Sequence, residues 1–220
     1  MVEKFEIYDL LGIVVPGTLL IGLTLILFPV LSTPASNVKL PEGFTVICLV
    51  ALSVFAGNLV QAISSLIEPL IENTWGGRMS EKGLSRGLGD RYLPTDTAAR
   101  IRNKLVSILG SNSKDRSLFL FALQKAETDE NPRVGRFNAL YAYHRAILCL
   151  TLMTFALLTL SMVCGLAVSW SPSEKSVALA ASILLLFITW NRTRQRAIYY
   201  VREVLLTAER VMDDRQIPPK

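Results

Sequence analysis

Hydrophobic residues along this chain are concentrated in four long blocks that polar segments separate. The blocks cover Leu10–Leu31, Phe44–Ile67, Ala146–Val168 and Lys175–Arg192, the last with a charged residue at each end. About 20 apolar residues in a helix cross the hydrocarbon core of a bilayer, and 18 suffice when the charged ends snorkel to the interface. The pattern predicts four transmembrane helices, arranged as two hairpins.

The polar segment between the second and third blocks is long enough to form a domain. Its glycine-rich start, from Trp75 to Asp90, is typical of a loop. Apolar residues at helical spacing then predict one short helix from Pro94 to Gly110 and a second from Lys114 to Glu127. Strand-like alternation is not convincing anywhere, so we expect an all-α domain.

Helical spacing continues beyond the fourth block. The apolar positions recur every three or four residues: Ile198, Val201, Leu205, Ala208 and Met212. Such a stripe predicts a helix that packs on the stem before the third block or on another subunit. The predicted fold is an all-α polytopic membrane protein. Its segments are a transmembrane hairpin (1–71), a cytoplasmic insert and stem (72–143), a second transmembrane hairpin (144–192), and a cytoplasmic C-terminal helix and tail (193–220).

The second block carries a stripe of small and polar residues. At about 100° per residue they fall within an arc of roughly 140°: Ser53, Gly57, Asn58, Gln61, Ser64, Ser65 and Glu68. Lipid offers such groups no partners, so the arc must face other helices or water. It is either a helix-packing surface, the lining of a pore in a homo-oligomer, or a transporter site, although we find no inverted repeat of the kind that transporters contain.

The distribution of charge predicts an orientation. The net charge is +5, yet only Lys39 and Lys175 of the 23 basic residues lie on one side of a four-span topology. Basic residues favour the cytoplasmic side of bacterial membranes. We therefore expect a multi-pass protein of the bacterial inner membrane with both termini and the insert in the cytoplasm.

The basic residues form two groups. One flanks the cytoplasmic membrane face, where anionic lipid headgroups are the expected partner: Arg145, Arg192, Arg194 and Arg196. The other lies on and after the first predicted helix of the insert: Arg100, Arg102, Lys104, Lys114 and Arg116. The second group is either solvated surface charge or a site for a phosphate-bearing ligand, a nucleotide or oligonucleotide.

Nothing in the sequence indicates catalysis. The chain has one histidine, its three cysteines lie in apolar blocks, and the glycines between Gly76 and Gly89 lack the Lys-Ser/Thr of a phosphate-binding loop. We therefore predict no catalytic residue, no metal and no cofactor, and a protein that is not an enzyme.

Two short motifs carry a resemblance. The opening EIYDLLGIVVPGTLL and the stem RFNALYAYHRAI resemble small four-span bacterial membrane proteins of phage-defence systems, of the class of the Kiwa-type and Hailong-type membrane subunits. The resemblance covers about a tenth of the chain and implies an effector or sensor that perturbs the inner membrane on infection.

Two functions follow as hypotheses. The first is an oligomeric, channel-like effector that a ligand or partner gates through the basic cytoplasmic domain. The alternative is a non-conducting anchor or sensor that recruits and controls a soluble cytoplasmic partner.

Overall fold

The computed structural model describes residues 7–28, 41–128, 133–164 and 170–214, and these residues form an all-helical protein. The helices, numbered in chain order, are α1 Ile7–Leu27, α2 Glu42–Thr74, α3 Met79–Ser85, α4 Thr95–Leu109, α5 Asp115–Glu127, α6 Arg133–Cys164 and α7 Pro172–Asp214. Within these residues the one β-type pairing is an isolated bridge between Gly89 and Leu93. The predicted all-α class is confirmed.

Three helices are long and apolar enough to cross a membrane, over Gly43–Thr74, Arg133–Val163 and Pro172–Asp213. The sequence predicts a fourth, but α1 contributes only the shorter apolar stretch Gly12–Leu27. The predicted first block, Leu10–Leu31, extends beyond both ends of that stretch, and its last three residues lie outside the described ones. Residues 165–168 of the third block, most of the connector between the first two blocks and the tail Gln216–Lys220 also lie outside them.

The chain divides into two compact units. We call Met1–Ile67 with Ala142–Thr193 the apolar unit, and Glu68–Tyr141 with Arg194–Lys220 the polar unit. The four predicted apolar blocks all fall within the residue ranges of the apolar unit.

The apolar unit has an internal core and an apolar exterior. Val60 of α2 packs with Ala146, Cys149 and Leu150 of α6 in one cluster. Other large apolar side chains point outward, such as Phe55 of α2, which is 71% exposed, and Val177 of α7, also 71% exposed. A soluble protein rarely exposes so much contiguous apolar surface, whereas lipid requires it.

The polar unit is built around the C-terminal part of α7. The stripe that the sequence predicts is buried there at Val201, Leu205, Ala208 and Met212, while Ile198 is half-buried. Leu84 of α3, Ile101 and Leu105 of α4 and Leu118 of α5 are also fully buried. The stripe thus packs within its own chain.

The glycine-rich segment differs from its prediction as a loop, because it contains helix α3. A Cβ atom at Gly83 of this helix would lie 2.9 Å from Cγ1 of Val201. Gly83 therefore lets α3 approach α7 closely, and tertiary packing outweighs the low helix propensity of glycine. The two helices predicted for the insert match α4 and α5.

Candidate functional site

Helices α1 and α2 cross in close backbone contact within the apolar unit. A Cβ atom at Gly17 would lie 1.7 Å from the carbonyl oxygen of Ser53, and one at Gly57 would lie 2.0 Å from that of Ile13. No side chain larger than hydrogen fits at either position. Small residues that allow such an approach are the usual basis of helix association in lipid.

Gln61 completes this crossing by replacing a hydrogen bond that the chain cannot make. Pro16 lies inside α1 and has no N–H, so the carbonyl of Gly12, four residues earlier, lacks its usual helical partner. The Gln61 side-chain amide donates to that Gly12 carbonyl at 2.9 Å and to the carbonyl of Ala142 in α6 at 3.4 Å. One side chain thereby joins three helices and satisfies the carbonyl that the proline leaves open.

The rest of the predicted arc divides into an inward and an outward part. Ser53 is buried and accepts a hydrogen bond from the Thr18 hydroxyl at 3.1 Å. Ser64 is also buried and donates to the Gln61 carbonyl of its own helix. Asn58 is exposed, and its amide donates to the carbonyl of Val54 one turn earlier. The arc is therefore largely a packing surface, with a smaller outward edge.

Ser65 belongs to that outward edge. It is exposed, donates to the Gln61 carbonyl and accepts a hydrogen bond from Arg145 of α6 at 3.0 Å. We call Asn58 and Ser65 the outward face of α2. The two residues are seven positions apart, two helical turns, so they lie on one side of the helix.

Glu68, the last residue of the arc, belongs to the polar unit and lines a cavity there. Its carboxylate accepts a hydrogen bond from the Tyr141 hydroxyl at 2.7 Å. Glu72 follows one turn later and forms an ion pair with Arg78, with Nε and Oε2 3.3 Å apart. The cavity, about 150 Å³, is lined by Glu68, Glu72, Met79, Ser80, Phe119, Tyr141, Ala197, Tyr200 and Val201.

Burial perturbs two titratable groups of this cavity. The pKa of the Glu72 carboxyl lies above its ordinary value because burial penalises the charge and Glu68 repels it, although Arg78 acts in the opposite direction. Burial also raises the pKa of Tyr200 to about 12, and the carboxylates of Glu127 and Glu68 add to the shift. Both shifts have burial as their largest cause, so the cavity is partly desolvated.

Three of the predicted phosphate-binding residues form ion pairs within the polar unit. Arg100 makes a two-point contact with Glu209, at 2.8 and 3.1 Å. Lys104 binds Asp213 at 2.7 Å, and Arg102 binds Asp115 at 3.1 Å. Carboxylates thus already occupy at least one donor of each of these three cations. Lys114 and Arg116, the other two members of the group, are exposed.

The predicted membrane-interface group divides between the units. Arg145 and Arg192 belong to the apolar unit, whereas Arg194 and Arg196 belong to the polar unit. Between them in the sequence, the Thr193 hydroxyl donates to the carbonyl of His144 at 3.1 Å, which ties α7 to α6.

Sequence reasoning did not find the cavity. The spacing of Glu68 and Glu72 places two carboxylates on one helical face, and that was the available signal. Within the described residues, no three His, Cys, Asp or Glu side chains come together as a metal site.

Comparison of the whole chain with protein-family models, curated proteins and solved structures finds no match.

Proposed function

We propose that this chain is a multi-pass membrane protein of bacterial phage defence that holds its polar unit at the cytoplasmic face of the inner membrane, where that unit binds a soluble partner. In this proposal α1 also crosses the membrane, which gives four spans with both termini in the cytoplasm. The bias of basic residues supports the orientation, and the resemblance in the opening and the stem supports the defence role. The protein acts as an anchor and sensor and does not conduct ions.

The observation that carries the non-conducting role is the position of Gln61. A pore-lining amide faces water, whereas the Gln61 amide bonds to backbone carbonyls of α1 and α6. Ser53 and Ser64 are buried beside it, so the inward part of the arc is used for packing inside one chain.

The proposal is tested by two measurements on the full chain. Protein reconstituted in planar bilayers should show no unitary currents, and affinity purification from cells should recover one soluble partner in fixed ratio. Steady currents, or recovery of the chain alone under native conditions, would count against the anchor role.

A second candidate function is the gated channel, which the outward face of α2 favours. Asn58 is exposed in a segment that hydrocarbon should surround, and an exposed amide there is unfavourable. Several copies that turn this face toward a common axis would shield it from lipid and could enclose a water path.

The channel hypothesis has its own test. It requires an oligomeric mass in detergent and currents that Asn58→Leu alters. Of the basic residues expected to bind a gating nucleotide, only Lys114 and Arg116 are without a described ion pair, so Lys114→Ala should weaken gating more than Arg102→Ala. A monomeric mass in detergent would exclude this candidate.

A further inference from the structure

A short loop of the polar unit, between α3 and α4, holds an arginine and a tyrosine in a defined position. Backbone hydrogen bonds close the loop, from Leu88 to the carbonyl of Leu93 and from Tyr92 to that of Gly89, both at 2.9 Å. Leu93 is buried and anchors the loop in the core. The loop therefore displays Arg91 and Tyr92 from an ordered backbone, and a surface that is ordered before binding loses less entropy when a partner arrives.

The loop requires glycine at Gly87. The φ angle of Gly87 is +71°, and a Cβ atom there would lie 2.6 Å from the carbonyl oxygen of Leu93 and 3.2 Å from Cα of Thr95. A side chain at this position would strain the backbone and push the loop away from the start of α4. The glycine-rich sequence thus has a structural role, since it builds the loop that displays Arg91 and Tyr92.

Aromatic contacts join the loop to α7 and α6. The ring of Tyr92 meets that of Tyr199 edge-on with centroids 5.4 Å apart, and the Tyr199 ring lies 6.4 Å from that of Phe137. The guanidinium group of Arg91 lies over the Tyr92 ring at 5.8 Å, within the range of a cation–π contact. All three rings are half-buried, and Arg91 is exposed. The loop and the two helices therefore share one surface of rings and charge.

A second guanidinium group borders the same rings. Arg202 follows Tyr199 by one turn of α7, so their Cβ atoms are about 5–6 Å apart. Arg202 is half-buried, and its Nε is buried without a hydrogen-bond acceptor. The next residue, Glu203, is already paired with Arg133, with Nε and Oε1 3.1 Å apart. Arg202 is thus a cation that the described residues leave uncompensated, and such a charge is unfavourable when it is partly withdrawn from water.

The charge of this surface is positive. Arg86, which precedes the loop, is exposed like Arg91, and neither these two nor Arg202 forms an ion pair with another described residue. The loop itself contains one acidic residue, Asp90. We call the following residues the arginine–tyrosine surface: Arg86, Arg91, Tyr92, Tyr199 and Arg202.

The rings indicate which kind of anion fits this surface. Guanidinium groups bind both carboxylates and phosphates. Nucleic-acid bases stack on open ring faces, whereas Tyr92 lies under Arg91 and the rings are half-buried against one another. An acidic peptide needs only the guanidinium donors and the edges of the rings. Arginine and tyrosine are also the side chains that often dominate the binding free energy of protein interfaces.

We infer that the arginine–tyrosine surface is where the soluble partner docks, through an acidic segment whose carboxylates bind Arg91 and Arg202 and whose apolar groups contact Tyr92 and Tyr199. This inference rests on the proposed anchor function, because it names the surface and the chemistry of that partner. Complementary charge would also speed the encounter of the two proteins.

The test measures the fluorescence anisotropy of a labelled peptide of glutamate, alanine and glycine, mixed with the full chain in detergent. The acidic peptide should bind, and a matched peptide with glutamine in place of each glutamate should bind at least tenfold more weakly. Equal affinities, or no binding of the acidic peptide at millimolar concentration, would overturn the inference. Tighter binding of an oligothymidylate than of the acidic peptide would also overturn it and assign the surface to nucleic acid.

Variants connect the binding to the surface. Arg91→Gln and Arg202→Gln should each weaken binding of the acidic peptide tenfold or more, whereas Arg210→Gln, the same charge change about two turns further along α7, should alter it less than twofold. Gly87→Ala keeps every charge but displaces the loop, so it should weaken binding as much as Arg91→Gln. Equal losses in Arg91→Gln and Arg210→Gln would indicate nonspecific attraction and contradict the assignment. Circular dichroism establishes that each variant is folded.

Affinity purification from cells separates failure of this inference from failure of the anchor role. Loss of the partner in Arg91→Gln, with its retention in Arg210→Gln, is the result expected if both are correct. If the native chain and Arg91→Gln recover the partner equally, the inference fails while the anchor role stands. If the native chain recovers no partner, the anchor role fails and the inference fails with it.

Discussion

The hydrogen bond from Gln61 to Gly12 gives the sharpest prediction about the apolar unit. Gln61→Leu keeps a side chain of similar volume and removes both interhelical bonds, at 2.9 and 3.4 Å. It also leaves the Gly12 carbonyl without a partner, because Pro16 offers no N–H.

The magnitude follows from these two losses. Interhelical side-chain hydrogen bonds in membrane proteins contribute about 0.6 kcal/mol on average and about 1.7 at most. A buried carbonyl left unsatisfied costs about 1–3 kcal/mol. We therefore expect Gln61→Leu to lower the free energy of unfolding by roughly 2–4 kcal/mol.

A double-mutant cycle isolates the proposed cause. Pro16→Ala restores an N–H that the Gly12 carbonyl can accept within α1, so in that background Gln61→Leu should cost only about 1 kcal/mol. The free energies are measured by titrating SDS into micelles that contain the purified full chain, with helicity followed by circular dichroism. The cycle subtracts whatever packing the loss of the Pro16 ring removes.

Asn58→Leu is the matched control, since the Asn58 amide bonds only to its own helix. It should change the free energy of unfolding by less than half as much as Gln61→Leu. The reasoning is refuted if Gln61→Leu costs the same with and without Pro16, or if the two amide substitutions have equal effects.

Three further predictions concern packing, ion pairs and pH. Gly57→Ala should force α1 away from α2, so that the apolar unit unfolds at a lower SDS concentration. The control is Gly22→Ala, where the added methyl meets no neighbour, and this change should be neutral or stabilising. In thermal melts Glu209→Gln should lower the midpoint more than Asp213→Asn, because the Glu209 side chain is 11% exposed and contacts two cations, while that of Asp213 is 51% exposed. Burial raises the pKa of Tyr200 to about 12, so the folded state holds this proton more tightly than the unfolded state. Stability should fall from about pH 10 to pH 12, and Tyr200→Phe should lessen that fall; an equally steep alkaline transition in the variant would contradict this.

The helices were predictable because their signals are local. Apolar periodicity located α4 and α5, and the stripe on the second block identified a polar side of α2. Periodicity could not predict which of those polar residues point toward the neighbouring helices. Asn58 and Gln61 are three positions apart, about 60° around the helix, and the crossing at Gly17 and Gly57 decides that only Gln61 reaches its neighbours.

The phosphate-site hypothesis shows a second limit of local reasoning. Arg100 and Glu209 are 109 positions apart, so the sequence shows a cluster of cations and hides the carboxylates that meet them. The same holds for α3, since its helicity depends on contact between Gly83 and Val201 in a distant helix. Both features come from tertiary contacts that no sequence window contains.

The central claim is that the polar arc of α2 serves helix packing inside one chain. Recording of unitary currents from the purified full chain in planar bilayers tests it most directly. We predict electrically silent bilayers, both for the native chain and for Asn58→Leu. Reproducible unitary currents that Asn58→Leu abolishes, while the protein stays folded, would contradict the account and establish the outward face of α2 as the lining of a pore.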